Sequence, residues 1–282
     1  MKIVSSISEM QNIADELRRN GKRIGVVPTM GYLHDGHLSL IRIAKQHADI
    51  VVTTIFVNPA QFAPNEDFNK YPRDTESDIA KVRDEGADIL FLPDNTVIYP
   101  EGFSTYINVD GLSEKLCGRS RPGHFRGVTT VVAKLVNIIN PTRAYFGQKD
   151  FQQTVIIKKM VRDLNFSIDV VVCPTVREHD GLAMSSRNAY LDEEQRKAAS
   201  VIYKSLSMAS DSIKSGIIKT DKIKELMLKV ISEEALITDT DYASVYNPET
   251  LDEMTEVHGD VLIAVAVRMG TTRLIDNVLI NT

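Results

Sequence analysis

The sequence predicts an α/β protein, with a doubly wound parallel sheet followed by a smaller α+β C-terminal domain. Short apolar runs alternate with helical patterns through the first two thirds of the 282-residue chain. Runs such as 49–58 are nearly continuous in β-branched residues, which is typical of strands buried on both faces. After about residue 188 the alternation stops. We therefore expect domains at 1–183 and 184–282, with a polar hinge at about 177–188.

The elements follow from hydrophobic periodicity. An N-terminal helix is expected, with Ser8 as its N-cap and Gly21 at its end. The first domain should then contain strands at 23–29, 49–58, 88–93, 143–146 and 167–176 and helices at 37–47, 75–86, 127–139 and 150–164. The smaller domain should contain helical segments at 192–214 and 220–236 and strands at 242–247, 260–269 and 273–280.

Composition excludes several classes of function. The net charge of -5 and the pI of about 5.7 argue against a nucleic-acid partner or an anionic membrane surface. The two cysteines, Cys117 and Cys173, have no metal-binding or redox spacing and are typical of a reducing compartment. The apolar run at 261–267 is too short to span a bilayer. We expect a cytoplasmic protein without a metal site built from its own ligands.

The segment 26–40 predicts a strand, a turn and a helix, and it holds His34 and His37, two of the six histidines. No two glycines have the G-x-G spacing of a dinucleotide-binding turn. Gly31 and Gly36 have the P-loop offset, but a histidine follows where a P-loop needs lysine. Free N–H groups at a helix start beyond a parallel strand bind anions, and imidazoles add donors that are neutral or cationic near pH 7. This corner therefore favours polyphosphate binding.

Two plainer interpretations of the same corner remain open at this point. The histidines could lie on a solvated helix start, or they could form half of a metal site. A zinc site would need further ligands, and the neighbouring sequence supplies neither cysteine nor an H-x-x-x-H spacing.

The corner, PTMGYLHDGH at 28–37, resembles the opening motif of the pantoate–β-alanine ligases, in which H-x-G-H holds ATP. Similar motifs follow in the order of that family: FVNPAQF (56–62), YPR (71–73), FRGVTTVVAKLVNIINP (125–141), FGQKDFQQ (146–153) and PTVREHDGLAMSSRNAYL (174–191). The resemblance covers residues 24–191 almost without interruption, and the last third is compatible in length. Tyr32 and Gln148 depart from the family pattern, which usually has a small residue and Glu there.

The resemblance implies a Rossmann-like first domain and an ATP-dependent condensation of D-pantoate with β-alanine. ATP would adenylate the pantoate carboxylate and release pyrophosphate, and the amine of β-alanine would then displace AMP. ATP, D-pantoate and β-alanine are the implied small-molecule partners. Mg²⁺ is implied by the ATP chemistry, since it binds mainly through phosphates and water. The resemblance also implies a homodimer.

Site residues are carried over only where the motifs match. The implied catalytic residues are His37, His34 and Lys149. The implied ATP-binding residues are Met30, Gly31, Tyr32, Leu33, His34, Asp35, Gly36, His37, Gly147, Gln148, Lys149, Asp150, Val176, Met184, Ser185, Ser186 and Arg187. The implied substrate-binding residues for pantoate and β-alanine are Gln61 and Gln153.

Residue chemistry supports these roles, although each motif alone has a simpler interpretation. Amide side chains suit the hydroxyls and carboxylate of pantoate, but an isolated glutamine is usually a surface residue. Asp150 could cap a helix, and 184–187 could be a flexible polar linker. The basic segment 119–127 could steer anions or be an exposed loop, and Asp78 could support a metal indirectly.

Two other functions remain as alternatives. A nucleotidyl transferase that moves AMP to a phosphorylated acceptor would need cationic groups where this chain has Gln61 and Gln153. A non-catalytic nucleotide-binding module would bind ATP without releasing pyrophosphate. A tRNA synthetase is disfavoured by the acidic charge and by the lack of sequence for an anticodon-binding domain.

Overall fold

The computed structural model describes residues 1–64 and 66–281. Its parallel sheet contains six strands: β1 (Lys2–Val4), β2 (Ile24–Thr29), β3 (Ile50–Ile55), β4 (Ile89–Phe91), β5 (Arg143–Gly147) and β6 (Asp169–Cys173). The antiparallel sheet contains β7 (Ile237–Tyr246), β8 (Val261–Met269) and β9 (Thr272–Ile280). The helices are α1 (Ile7–Arg19), α2 (Asp35–His47), α3 (Thr75–Asp84), α4 (Asn95–Ile98), α5 (Cys117–Ser120), α6 (His124–Ile139), α7 (Phe151–Asp163), α8 (Glu193–Ala198), α9 (Val201–Lys214) and α10 (Thr220–Ser232). The predicted fold class is confirmed.

The strand order places β2 at a topological switch point. The order is β1-β4-β3-β2-β5-β6, so β2 pairs with β3 on one side and with β5 on the other. The chain moves outward from β2 through β3 to β4, and later outward from β5 to β6. Connections that leave in opposite directions open a crevice beyond the carboxyl ends of β2 and β5.

Two hydrophobic layers cover the two faces of the parallel sheet. Val26 packs into the layer that contains residues of α1, α6 and α7, whereas Val27 packs with residues of α2 and α3. Tyr145 and Phe146 divide between the two layers in the same way. Successive side chains of a strand point to opposite faces, so burial of both neighbours explains the continuous apolar runs in the sequence.

The C-terminal part packs α9 and α10 against one face of its antiparallel sheet. The other face lies against the N-terminal part, where Leu262 and Ala264 of β8 cluster with Leu116 and pack with Phe151. Strand β8 is therefore covered on both sides. In residues 1–64 and 66–281, no helix is long and apolar enough to cross a membrane.

Some local predictions were wrong. The N-cap of α1 is Ser6, whose hydroxyl accepts the N–H of Glu9, rather than Ser8. The predicted helix at 192–214 is two helices, α8 and α9, separated at Ala199 and Ser200. Strand β1 was not predicted because it has only three residues, two of them exposed, and this gives almost no periodic signal.

Candidate active site

The turn after β2 has an unusual backbone that is held by one buried carboxylate. Gly31 and Tyr32 both have positive φ, 81° and 49°. The carboxylate of Asp78, which is 1% exposed, accepts the N–H of Tyr32 and the N–H of Leu33, each at 2.7 Å. A Cβ on Gly31 would lie 2.9 Å from Asp78 Oδ2, so glycine is needed both for the conformation and for the contact. Asp78 therefore has a structural role in this turn, and its indirect support of a metal stays a prediction.

The rings of His34 and His37 lie against each other at the start of α2, tilted by 39°. Their ring centroids are 4.1 Å apart, and Nδ1 of His37 accepts the N–H of His34 at 3.4 Å. This bond leaves Nε2 of His37 as the protonated nitrogen of the neutral ring. A Cβ on Gly36 would lie 2.9 Å from the His34 ring. Glycine at 36 therefore makes room for the neighbouring imidazole.

Both imidazoles are neutral near pH 7 in this structure. Burial, together with the positive charge of Lys149, lowers the pKa of His34 to about 4, although the charges of Asp150 and Asp35 oppose this shift. Burial also lowers the pKa of His37 well below its usual value, with added effects from His34 and Lys149. The sequence left the protonation state open, and the buried setting favours the neutral form.

The second corner follows β5, on the other side of the switch point. Gln148–Asp150 forms a 3₁₀ turn that leads into α7. Lys149 Nζ lies 3.7 Å from Asp150 Oδ1, and the lysine side chain is only 19% exposed. Asp150 occupies the N-cap position of α7, but within the described part of the chain its side chain makes no capping hydrogen bond, so the alternative of a side-chain cap is not supported.

The segment predicted as a hinge contacts both parts of the protein. Ser186 Oγ donates to the carbonyl of Tyr32 at 3.2 Å. Arg187 donates from Nε and Nη2 to the two oxygens of Asp67, both at 2.9 Å. Burial acts to raise the pKa of Asp67, but the Arg187 guanidinium outweighs it and the pKa is lowered. The segment is therefore anchored to the turn after β2 and to Asp67, and it is not a free linker.

Gln61 lies at the end of a short 3₁₀ turn, Pro59–Gln61, and is 9% exposed. Its Oε1 accepts from Asn58 Nδ2 at 3.0 Å, and its Nε2 contacts the sulfur of Met30, also at 3.0 Å. The second N–H of Nε2 stays available for a ligand. Gln153 lies in the first turn of α7, after Lys149.

These elements converge on one cavity of about 220 Å³. Its lining includes most of the predicted site residues: Met30, His34, Gly36, His37, Gln61, Gly147, Lys149, Asp150, Gln153, Val176, Met184, Ser185, Ser186 and Arg187. The cavity adjoins a crevice of about 960 Å³ between the two parts of the chain, which shares Lys149, Gln153 and Arg187 as lining residues. Three distant sequence segments thus meet at one place.

Five predicted ATP-binding residues lie outside the cavity lining. Leu33 is a core residue, 3% exposed, and Gly31 contacts Asp78. Asp35 is exposed and pairs with Arg42 at 2.7 Å. The backbone carbonyl of Tyr32 accepts a hydrogen bond from Ser186 Oγ. The backbone carbonyl of Gln148 accepts one from Asn277 Nδ2. The motif segment therefore mixes side chains that face the cavity with others that shape the turn.

The cavity also contains residues that the sequence did not single out. Asn58, 1% exposed, donates to Gln61 and accepts from the hydroxyl of Tyr99 at 2.8 Å. Tyr71 and Thr175 also line it, and the buried Oγ1 of Thr175 has no hydrogen-bond partner among the described residues. All three residues lie within the motifs of the family resemblance, which was the available signal, but a side chain's direction cannot be read from a motif.

The basic segment 119–127 is exposed at Arg119 and Arg126, but its middle part packs against the cavity. Arg121 pairs with Glu66 at 2.6 Å and is only 15% exposed on its side chain, and its Nη1 lies 3.0 Å from His124 Nε2. His124 Nδ1 lies 2.8 Å from the carbonyl of Gln61. Burial, then the charge of Arg121, lowers the pKa of His124 to about 3. This network supports the wall of the cavity.

Among residues 1–64 and 66–281, no group of three or more His, Cys, Asp or Glu side chains is arranged to hold a metal ion. A metal in this cavity would therefore depend on oxygen atoms of a ligand, together with a carboxylate such as Asp150 that lines it.

Comparison with known families identifies the family of the chain. The model of the pantoate–β-alanine ligase family matches residues 2–279. The chain belongs to this family. Two curated relatives are named pantothenate synthetase. One, from Thermodesulfovibrio yellowstonii, is 55% identical over 280 residues, which is 99% of this chain and 100% of the relative. The other, from Acetivibrio thermocellus, is 52% identical over 282 residues, 99% of each chain.

Solved structures agree with this family assignment. The pantothenate synthetase of Thermus thermophilus superposes with a TM-score of 0.94, at 43% identity and 99% coverage of each chain. The pantoate–β-alanine ligase of Francisella tularensis, complexed with β,γ-ATP and β-alanine, has a TM-score of 0.80 at 34% identity, covering 99% of this chain and 97% of that one.

Proposed function

We propose that this ligase-family chain condenses D-pantoate with β-alanine, driven by ATP, through a pantoyl-adenylate. The observation that carries the proposal is the convergence of His37, Lys149, Arg187 and the two amides of Gln61 and Gln153 on one cavity at the switch point of the sheet. Membership of the pantoate–β-alanine ligase family supports the choice of substrates.

In the first step a pantoate carboxylate oxygen attacks the α-phosphorus of ATP, and the bond to pyrophosphate breaks. Two anions must approach each other, so positioning and charge neutralisation are the main requirements. Lys149 supplies a mobile positive charge. His37 offers its Nε2–H as a neutral donor, and Arg187 offers guanidinium N–H groups beside Ser185 and Ser186.

The amides are suited to holding pantoate. Gln61 has its carbonyl oxygen engaged by Asn58, so a remaining N–H of Nε2 can donate to a carboxylate or hydroxyl. Gln153 lines the same cavity. Neutral amides orient an anionic substrate without adding negative charge. In the second step the free amine of β-alanine attacks the acyl carbon, the acyl–oxygen bond breaks, AMP leaves and the nitrogen loses a proton.

We propose that Mg²⁺ enters with ATP and is held by phosphate oxygens, water and Asp150. A single carboxylate beside substrate phosphates is a common way to bind this ion. When bound, the ion would neutralise phosphate charge during pyrophosphate release. We also propose a division near 177–188 between domains 1–183 and 184–282, a homodimer and a cytoplasmic location. The two buried thiols, which are unpaired within the described residues, support a reducing compartment.

The test is pantoate-dependent exchange of labelled pyrophosphate into ATP. We expect His37→Ala and Lys149→Ala to lower the exchange rate on the order of 100-fold or more. The matched controls are His258→Ala and Lys214→Ala, both at exposed positions, and both should exchange like the unaltered protein. Undiminished exchange in the first two variants would remove these residues from the mechanism, and no exchange by the unaltered protein would overturn the function.

The alternatives are separated by substrate dependence. AMP should form only when pantoate and β-alanine are both present. A nucleotidyl transferase would instead transfer AMP to a phosphorylated acceptor without β-alanine. A nucleotide-binding module would bind ATP, measurable by calorimetry, without releasing pyrophosphate.

A further inference from the structure

We infer that Asn277, on the last strand of the chain, is a positioning residue that fixes the Lys149 corner for ATP. Its side chain contacts the backbone of that corner. Asn277 lies outside the sequence motifs that suggest the nucleotide site. The inference rests on the proposed function, because it assigns Asn277 an effect exerted through Lys149.

The Asn277 amide clamps the corner with its hydrogen-bonding groups. Its Nδ2 donates to the carbonyl of Gln148 at 3.0 Å and to the carbonyl of Lys149 at 2.9 Å. Its Oδ1 faces Gln148 Nε2 at 3.4 Å. Asn277 is 3% exposed. Burying an amide is costly unless its polar atoms are hydrogen-bonded. Here the hydrogen-bond partners are Gln148 and Lys149.

Strand alternation explains why this residue reaches the other part of the chain. Neighbouring residues of β9 point to opposite faces. Leu274 and Val278 pack into the core of the C-terminal part. Ile275, on the other face, packs against the core of the N-terminal part. Asn277 shares the face of Ile275, so it projects from one part of the protein toward the backbone of the other.

An ion pair holds strand β9 in position next to Asn277. Asp276 is 3% exposed and binds Arg177 through both carboxylate oxygens, at 2.5 and 3.0 Å. The guanidinium of Arg177 also stacks over Tyr203 at 4.1 Å from the ring centroid. Asp276 Oδ1 accepts the N–H of Asn277 at 2.7 Å. The clamp therefore has a rigid support, which is what a positioning residue needs.

The position of the corner matters because Lys149 carries its charge on a long, flexible side chain. Two carbonyls held by one amide fix the peptide planes on both sides of the Lys149 α-carbon, and hence the direction in which its side chain leaves the backbone. Lys149 lines both the cavity and the adjoining crevice. Without the clamp its ammonium would be spread over more positions, and ATP would bind less tightly.

The test is Asn277→Asp, which keeps the shape of the side chain but places a carboxylate oxygen against two carbonyl oxygens. We expect the KM for ATP to rise by about tenfold, the effect of losing one good hydrogen-bonding group near a charge. The KM for β-alanine should change less than about twofold. Asn277→Ser retains one donor and should give an intermediate KM for ATP, and it provides a readout if the aspartate variant does not fold.

The matched control is Ser244→Ala, which removes a buried side-chain hydrogen bond to Glu253 within the C-terminal part. It should lower the melting temperature without changing the KM for ATP. If the Asn277 variants behave like this control, Asn277 has only a structural role and the inference is wrong. If the unaltered protein shows no pantoate-dependent exchange, the proposed function fails instead.

Discussion

The carboxylate of Asp78 accepts the backbone N–H of Tyr32 at 2.7 Å, across 46 residues of sequence. With the equal bond to Leu33, it replaces the helix or sheet partners that a buried backbone N–H normally has. Helix α3, which carries Asp78, is thereby connected to the turn that presents His34 and His37. A residue outside the cavity lining thus determines the shape of the cavity wall.

Replacing Asp78 by Asn should destabilise the protein by about 2 kcal/mol, because an amide N–H would face a backbone N–H and one charge-assisted bond would be lost. The free energy of unfolding in urea measures this effect. The control is Asp84→Asn at the exposed end of the same helix, which should stay within about 0.5 kcal/mol. Equal stability of the two variants would contradict the role of Asp78.

Tyr32 has a φ of 49°, a conformation that costs most residues energy but suits glycine. Tyr32→Gly should change the free energy of unfolding by less than about 1 kcal/mol, because relief of strain offsets the greater entropy of the unfolded chain. Tyr32→Val should destabilise by roughly 1–3 kcal/mol, since a β-branched residue is strained there. If valine is tolerated as well as glycine, the turn does not retain this backbone.

Stability should fall as the pH decreases below 6.5. The pKa of His34 is lowered to about 4 and that of His124 to about 3, so the unfolded chain binds more protons than the folded one between pH 6.5 and 4. Below pH 6, His34 and His124 should therefore each lower the free energy of unfolding by about 1 kcal/mol for every pH unit. Urea unfolding at pH 7, 6 and 5 measures this slope.

A variant isolates the contribution of one imidazole. His124→Asn keeps a donor near the carbonyl of Gln61 but does not titrate, so its stability should depend less steeply on pH than that of the unaltered protein. His258→Gln, at an exposed position, is the matched control. A His124 variant with an unaltered slope would mean that this imidazole is not buried in the neutral form.

Arg187→Lys should raise the KM for ATP by about tenfold in the exchange assay. Lysine keeps the charge but cannot form the two-pronged contact with Asp67 that orients the guanidinium. Arg162→Lys, on the exposed surface of α7, is the control and should have no effect. An unchanged KM in Arg187→Lys would show that charge alone is sufficient at this position.

Gln61→Glu should raise the KM for pantoate much more than the KM for ATP, because it adds a carboxylate beside the position proposed for an anionic substrate. Because Gln61 is only 9% exposed, the new carboxylate also has a desolvation cost, and the melting temperature should fall. Gln11→Glu, on an exposed position of α1, is the matched control. An equal rise in both constants would indicate a general distortion of the cavity.

Much of the architecture was available from the sequence. Continuous β-branched runs such as 49–58 predicted strands covered on both faces, because burial on both faces allows successive residues to be apolar, and β3 occupies 50–55 of that run. The change of pattern near residue 188 predicted the separate C-terminal sheet. Strand β1 and the break between α8 and α9 could not be predicted from the sequence. Each involves only two or three residues, which is too few to show a hydrophobic periodicity.

The sequence by itself determined the α/β class, the family resemblance and the residue types available for phosphate and carboxylate binding. The tertiary structure decided which of those residues meet, because contacts such as Asp78–Tyr32 and Asn277–Lys149 join segments that are 46 and 128 residues apart. It also decided that His34 and His37 are neutral, because burial and neighbouring positive charge lower the pKa of each imidazole. Which residues meet and which imidazoles are neutral both depend on distances in space and on the exclusion of solvent. The order of residues along the chain does not specify either.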